Sequence, residues 1–113
     1  MQSIKIPVLL EWTLHAQAKM RHYGLSPARV RRVLHMPRRI EEGIAPDTKA
    51  MMQPASLKTK DTWAQEIWVM VQDGPKERRV ISAWRYPGVT KPRGPEALAA
   101  LRREYAEFAA DAK

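Results

Sequence analysis

The stretch Gln65–Tyr86, QEIWVMVQDGPKERRVISAWRY, predicts the centre of the fold. Its first arm, Gln65–Gln72, is rich in β-branched and aromatic residues, and Arg79–Tyr86 forms a second such run. The tripeptide DGP at residues 73–75 is a turn signal, because glycine and proline interrupt regular structure. The pattern predicts an antiparallel hairpin at the centre of a β-sheet.

Two short helices are predicted ahead of this hairpin. Thr13 is placed to cap a helix of about residues 14–22, and Gly24 to end it. Ser26 and Pro27 then open a second helix, with an N-cap residue before proline at the first helical position. Met36-Pro37 ends that helix. The first helix is expected to bury Leu14, Ala18 and Tyr23, and the second Val30, Val33 and Leu34.

The remaining chain supplies edge strands and a last helix. Residues 4–12 predict a first strand that Pro7 confines to an edge or a bulge, and residues 38–45 and 47–57 predict two more. Residues of about 95–111 predict a C-terminal amphipathic helix. Its apolar stripe is Leu98, Leu101, Tyr105 and Phe108. The expected fold is α+β: two N-terminal helices and a C-terminal helix packed on a small, mainly antiparallel sheet of about four strands.

Length and composition predict one domain over residues 1–113, with its core at about residues 4–90. The chain is 44% hydrophobic and has four Trp, enough apolar surface for one core. There is no cysteine, which excludes disulfides and thiolate metal sites. The three His, at positions 15, 22 and 35, lack metal-ligand spacing, so neither a metal nor a cofactor is predicted.

The N-terminal apolar run at residues 4–10 is too short for a signal core or a membrane span, and Lys5 and Pro7 interrupt it. No membrane association is therefore predicted. A cytoplasmic location is the expectation.

Nearly all of the net charge of +8 lies in one quarter of the chain. Residues 12–40 hold seven Lys or Arg and no acid, whereas residues 41–113 hold twelve against eleven acids. A run of charge is usually only a solvated face, but cations with no acid among them repel one another unless an anion relieves them. Arginine outnumbers lysine six to one, which favours bidentate contact with phosphate over attraction to a membrane. An anionic partner, RNA first, is predicted.

The string HAQAKMRHYGLSPARVRRVLHMP at residues 15–37 resembles the opening of small RelE-like proteins. In these, His-Ala begins a short helix and a Gly-Leu/Ile-Ser turn begins a second. The sequence LEW at residues 10–12 and RVISA at residues 79–83 resemble BrnT-type toxins. The resemblance covers roughly residues 10–88. It implies an α+β RelE-like domain, a ribonuclease toxin of a type II toxin–antitoxin pair, and a cognate antitoxin protein as partner.

RNA cleavage through the 2′-OH needs an acid or base and cations for the phosphorane charge. His15 is the first candidate for acid–base work, since it stands where the family motif marks it and imidazole titrates near neutrality. Lys19 lies one helical turn further on the same face. The resemblance implies a basic phosphate ligand at Arg85, for which a sheet-edge salt bridge with Glu66 or Asp73 is the structural alternative. Ser82 is a further candidate, but it shares a site with Arg85 only if the strand bulges.

The expected nucleic-acid contacts are cations of the two helices and aromatic residues of the last strand. Arginines hold phosphates, and aromatic rings stack on the bases of single strands. For the aromatic residues a place in the core is the alternative. These candidates are Arg21, Arg29, Arg31, Arg32, Arg38, Arg39, Trp84 and Tyr86.

The sequence leaves three functions open. The first is a metal-independent endoribonuclease toxin acting on single-stranded or ribosome-bound mRNA. The second is a non-catalytic nucleic-acid-binding or regulatory module, of the kind phages and other mobile elements encode, that uses the basic helices of residues 14–39. The third is an interaction protein whose basic face docks an acidic protein. A DNA-binding helix-turn-helix ranks below these, because the second half is β-rich.

Overall fold

The computed structural model of the chain describes residues 9–59, 61–92, 96, 99, 100, 102, 103 and 106. Its helices are α1 (Leu14–Tyr23) and α2 (Pro27–His35). Its strands are β1 (Leu9–Trp12), β2 (Arg39–Glu42), β3 (Lys49–Pro54), β4 (Leu57–Thr59), β5 (Thr62–Trp63), β6 (Gln65–Asp73) and β7 (Glu77–Pro87). None of the described helices has the length and apolarity needed to cross a membrane.

The central hairpin forms where the sequence predicts it. β6 and β7 pair antiparallel from Gln65↔Pro87 to Asp73↔Arg78. The turn between them is closed by the amide N of Gly74, which donates to the carbonyl oxygen of Glu77 at 2.8 Å. Six consecutive residues of β6, from Glu66 to Val71, are buried, so its side chains are covered on both faces of the sheet.

Five strands form the main sheet, in the order β1-β7-β6-β3-β2. β2, β3, β6 and β7 run antiparallel to one another in turn, whereas β1 pairs parallel to β7, with Trp12 opposite Val80. β4 and β5 form a separate two-stranded ribbon. The sheet is therefore mixed, with a parallel strand at one edge.

The prediction of three helices on a mainly antiparallel sheet of about four strands is wrong. The sheet has five strands and is mixed, because β1 adds to the free edge of β7 in the parallel direction. A pairing of strands 68 residues apart leaves no trace in local periodicity. The described residues define two complete helices. The apolar stripe of the expected C-terminal helix, Leu98, Leu101, Tyr105 and Phe108, lies outside the described residues.

Both helix starts and the first helix end are confirmed. The Thr13 side chain accepts a hydrogen bond from the amide of Ala16, and Ser26 accepts one from Arg29, each as an N-cap. Gly24 ends α1 in the left-handed region with φ of 66°, a conformation that glycine adopts without steric cost.

The apolar face of α1 differs from the prediction. Ala16 and Met20 are buried, whereas Leu14 is 83% exposed. The hydrogen bonds from Thr13 to the carbonyl oxygen of Val80 fix the rotation of the helix against β7, and this rotation turns the stripe two positions from the expected one. In α2 the expected Val30 and Val33 are fully buried.

The core lies on both faces of the sheet. The larger cluster joins α1 and α2 to one face, here called the helix face, through residues such as Val30, Val69 and Val80. A smaller cluster on the opposite face, here called the open face, contains Trp68 and Ala50. Trp84 packs against this second cluster.

A bulge in β7 decides which residues reach the open face. Met70 pairs with Ser82 but Val71 pairs with Val80, so Ile81 has no partner on β6. One extra residue reverses the alternation of side chains along a strand. Val80 and Ala83 are consequently both buried in the cluster of the helix face.

Candidate functional site

A cavity of about 470 Å³ lies on the open face, where the first two turns of α1 meet the bulge of β7. Four of the residues predicted from the sequence line it: His15, Lys19, Ser82 and Trp84. The other described lining residues are Thr13, Ile44, Met70 and Ile81. The cavity thus joins polar groups from α1 and β7 to an apolar wall.

Thr13 fixes the start of α1 against the bulge. Its Oγ1 accepts from the amide of Ala16 at 3.0 Å and donates to the carbonyl oxygen of Val80 at 2.9 Å. The amide of Thr13 also donates to the carbonyl oxygen of Val80, at 3.2 Å. The position of His15, two residues later, is therefore tied to the backbone of β7.

His15 and Lys19 stand on one side of α1. They are four residues apart, so they are neighbours on the helix surface. His15 is exposed, and Lys19 is half-buried with its Nζ 5.8 Å from the ring centroid of Tyr23. An imidazole and an ammonium group therefore border the same cavity from one helix.

Ser82 and Trp84 reach the cavity from β7. Ser82 is buried, at 7% exposure, and Trp84 is half-buried. The indole of Trp84 stacks on that of Trp68, its partner across the hairpin, with ring centroids 6.1 Å apart and planes 4° apart. This stack holds the Trp84 ring at the wall of the cavity.

A second cavity of about 650 Å³ adjoins the first and shares Trp84 and Ile44 with it. Tyr86 lines this second cavity and is exposed, so Trp84 and Tyr86 share the open face as the strand alternation predicts. The other described lining residues are Glu41, Trp68, Val89, Thr90 and Lys91.

Arg85 lies apart from this cavity. The bulge at Ile81 precedes both Ser82 and Arg85, so it leaves these two on opposite faces. Arg85 is on the helix face, where its Nε donates to the carbonyl oxygen of Tyr23 at 2.8 Å and its Nη1 to Gln65 Oε1 at 3.4 Å. The fold therefore does not bring Arg85 together with His15. The salt bridge considered as its alternative is not formed with either Glu66 or Asp73.

The predicted nucleic-acid contacts divide by exposure. Arg21, Arg31, Arg32 and Arg38 are exposed. Arg31 lies 5.4 Å from the ring centroid of Trp12, and Arg38 lies 5.0 Å from that of Trp63. Arg29 and Arg39 are half-buried and bound within the protein: Arg29 to Gln53, and Arg39 to Thr90 and Glu41.

The two remaining histidines lie outside the cavity. His22 packs edge-on against Tyr23, with centroids 4.7 Å apart, and His35 is exposed near the end of α2. In the part of the chain that the structure describes, no three His, Asp or Glu side chains form a group that could hold a metal ion.

Sequence reasoning missed the apolar wall and the role of Thr13. The sequence predicts the Thr13 cap, and the candidate His15 follows two positions later. That proximity was the signal that could have indicated a role for Thr13 at the cavity. Ile44 follows β2 and Met70 lies in β6. They reach the same cavity only because of the order of the strands in the sheet. Ile81 reaches it because of the bulge, for which the sequence gives no local sign.

A buried carboxylate that is hydrogen-bonded to two lining residues of the second cavity, Trp68 and Thr90, was also missed. Glu66 is fully buried, and its Oε1 accepts from Trp68 Nε1 at 2.9 Å and Thr90 Oγ1 at 2.7 Å. Its Oε2 accepts from Trp63 Nε1 at 2.9 Å and the amide of Thr90 at 3.1 Å. Burial alone would raise the pKa of Glu66, but these hydrogen bonds outweigh it and hold the pKa below its ordinary range. Four donors from described residues bind this carboxylate and Arg39 Nη1 lies 3.9 Å from its Oε2, so it is a structural centre.

Comparison with protein-family models, with curated proteins and with solved structures found no match for this chain.

Proposed function

We propose that this protein binds single-stranded RNA and cleaves it at the cavity beside His15. The observation that carries the proposal is the convergence of His15, Lys19, Ser82 and Trp84 on one cavity of about 470 Å³. These side chains come from two elements far apart in sequence. An acid–base group, a cation, a hydroxyl and an aromatic face are the groups that such a reaction uses.

The chemistry follows from these groups. The neutral imidazole of His15 accepts the proton of the ribose 2′-OH, and O2′ attacks the adjacent phosphorus. The bond from phosphorus to the 5′-oxygen breaks, that oxygen takes a proton from water, and the imidazolium of His15 returns its proton to the resulting hydroxide. The ammonium of Lys19 stabilises the phosphorane oxygens. The products are a 2′,3′-cyclic phosphate and a 5′-hydroxyl end, so the reaction needs neither a metal-bound nucleophile nor an oxidant in this step.

The open face supplies a place for the bases. Trp84 and Tyr86 lie on the same side of β7, and Trp84 borders both cavities. Bases of a single strand stack on such rings, with about 1 to 3 kcal/mol for each base. The exposed Arg21 on α1 and Arg31 on α2 suit the phosphates. Messenger RNA, free or on the ribosome, is the proposed substrate, which places the protein in the cytoplasm.

A toxin role belongs to the same proposal. It rests on the resemblance of residues 10–88 to RelE-like and BrnT-type proteins, and it adds a cognate antitoxin protein as partner. The basic surface around Arg31 and Arg32 fits an acidic protein as well as RNA, since both neutralise it. Co-purification with the product of a neighbouring gene, after nuclease treatment, tests this part.

The decisive experiment compares His15→Ala with His22→Ala in cleavage of a 5′-labelled RNA by the purified protein. His22 is the matched control, because it lies on the same helix but does not line the cavity. Loss of the general base is expected to reduce the rate by about 10²- to 10⁴-fold, while His22→Ala retains it. Equal rates for wild type and His15→Ala would contradict the mechanism.

A second function, RNA binding without cleavage, is favoured by one observation. Arg85 lies on the helix face, so Lys19 is the one permanent cation among the described residues that line the cavity. In this case the wild type yields no product from any RNA, yet Trp84→Phe weakens binding of a labelled oligonucleotide. Product analysis of the wild type separates the two functions.

A further inference from the structure

Three arginines meet at one end of the sheet, on the helix face. Arg29 and Arg32 are three residues apart on α2, and Arg85 is near the end of β7. Residues three apart on a helix are neighbours on its surface. The sequence predicts Arg29 and Arg32 as phosphate contacts on a helix and Arg85 as part of the active site. The fold instead brings all three together.

A chain of hydrogen bonds places Arg29 and Arg85 close together. Arg29 Nη2 donates to the carbonyl oxygen of Pro54 at 3.0 Å and to that of Ala55 at 3.4 Å. The amide of Ala55 donates to the carbonyl oxygen of Gln65 at 2.9 Å, and Gln65 Oε1 accepts from Arg85 Nη1. The acceptors of Arg29 and Arg85 are thus joined by one inter-strand hydrogen bond.

The acceptors that hold Arg29 and Arg85 are neutral. Arg29 also donates to Gln53 Oε1, and Arg85 to the carbonyl oxygen of Tyr23 at 2.8 Å. Among the described residues, Arg29, Arg32 and Arg85 form no ion pair. Other described arginines do form ion pairs with acids. Examples are Arg38 with Asp61, Arg39 with Glu41, Arg78 with Asp73, Arg79 with Glu11 and Arg102 with Glu42.

The charges of the cluster act on one another. Burial lowers the pKa of Arg29, and the nearby charges of Arg32 and Arg85 lower it further. Arg29 and Arg85 are held by neutral acceptors and Arg32 is exposed beside them, so the three cations repel each other and a bound anion relieves that repulsion. The guanidinium groups of Arg29 and Arg85, fixed by carbonyl and amide oxygens, are also preorganised for bidentate contact with phosphate oxygens.

We infer that Arg29, Arg32 and Arg85 form a phosphodiester-binding site, separate from the cavity at His15. This site rests on the proposed RNA-binding function and deepens it. Trp84 and Arg85 are consecutive residues of β7 that face opposite sides of the sheet, so the two sites lie on either side of that strand. An RNA that passes around α1 contacts both, and the arginine cluster holds a phosphate of the flanking chain.

The test is the salt dependence of RNA binding, measured by fluorescence anisotropy. The probe is a labelled 12-nucleotide 2′-O-methyl oligouridylate, which lacks the nucleophilic 2′-OH. The variant is Arg32→Gln/Arg85→Gln, and the control is Lys49→Gln/Lys76→Gln. The control removes the same charge from exposed residues at the other end of the sheet.

For single strands, the slope of log K against log salt changes by about 0.7 for each phosphate that the protein no longer neutralises. The arginine variant is expected to show a slope shallower by at least this amount, and the lysine control to keep the wild-type slope. Arg32→Gln alone, at an exposed position, gives a smaller decrease and guards against misfolding of the double variant. Equal slopes for wild type, arginine variant and control would overturn the site.

The two proposals fail differently. If wild type cleaves RNA but the arginine variant keeps its slope, the arginine site is wrong and the cavity at His15 stands. If wild type shows no salt-dependent binding of the oligonucleotide at any salt concentration, both the site and the proposed function are overturned. Reduced slope without RNA cleavage supports the site and leaves binding as the function.

Discussion

The Oγ1 of Thr13 donates to the carbonyl oxygen of Val80 at 2.9 Å, across 67 positions of sequence. This hydrogen bond ties the first turn of α1 to the strand immediately before the bulge at Ile81. The same hydroxyl caps α1 by accepting from the amide of Ala16. One side chain thus fixes both the helix start and its distance from the wall of the cavity.

Thr13→Ala is expected to lower the free energy of unfolding by about 2 kcal/mol, because it removes a helix cap and a partly buried hydrogen bond. Thr13→Ser keeps the hydroxyl and is the matched control, with a decrease below about 1 kcal/mol. Urea denaturation followed by tryptophan fluorescence measures both. Similar midpoints for the two variants would show that the hydroxyl does not anchor α1.

Glu66→Gln is expected to cost about 2 to 3 kcal/mol of stability at neutral pH. The amide nitrogen of glutamine would face donors that now meet a carboxylate oxygen, such as Thr90 or Trp63. Asp61→Asn is the control, since the Asp61 side chain is 80% exposed and its pairing with Arg38 is solvated. Thermal unfolding at neutral pH distinguishes the two variants, and equal melting temperatures would show that the carboxylate charge is not needed.

The lowered pKa of Glu66 also predicts how acid changes the stability of the protein. The pKa of Glu66 is lower in the folded than in the unfolded protein, so its stabilisation is present above the unfolded value and is lost as the pH falls through the folded one. Stability should therefore decrease below about pH 4. Glu66→Gln should show a shallower decrease. Some decrease remains in the variant, because hydrogen bonding to Arg78 also lowers the pKa of Asp73.

Gly43→Ala is expected to destabilise the protein by about 1 to 3 kcal/mol. A Cβ at position 43 would overlap the Thr48 side chain, whose Oγ1 donates to the carbonyl oxygen of Ala45 at 2.6 Å inside the turn between β2 and β3. Gly74→Ala is the control: a Cβ there meets no atom closer than 3.4 Å, and that contact is the carbonyl oxygen of Glu77. Equal denaturation midpoints would show that the turn adjusts.

The central hairpin and the helix caps could be predicted from the sequence because each depends on neighbouring residues. Thr13, Gly24 and Ser26 act within one helical turn, and the β6–β7 turn at Gly74 joins runs that are adjacent in sequence. Four members of the cavity were likewise candidates, since residue chemistry and the spacing of His15 and Lys19 are local properties.

Local sequence patterns do not show which distant segments of the chain pair with each other. The parallel addition of β1 to β7 depends on which sheet edge is free, and the rotation of α1 depends on the bond from Thr13 to Val80. Ser82 and Arg85 stay on opposite faces of the sheet because the bulge at Ile81 lies before both residues and not between them. No periodicity in the strand locates such an insertion.

Local sequence is enough to predict that residues 12–40 are cationic, that two capped helices follow one another, and that a hairpin lies at the centre of the sheet. These properties depend on charge and on hydrogen bonds within a few residues. Which distant side chains become neighbours depends on the folded chain: His15 and Ser82 line one cavity, and Arg85 lies near Arg29. Sheet order, strand direction and one extra residue in β7 set the face to which each side chain points, and none of these is a local property.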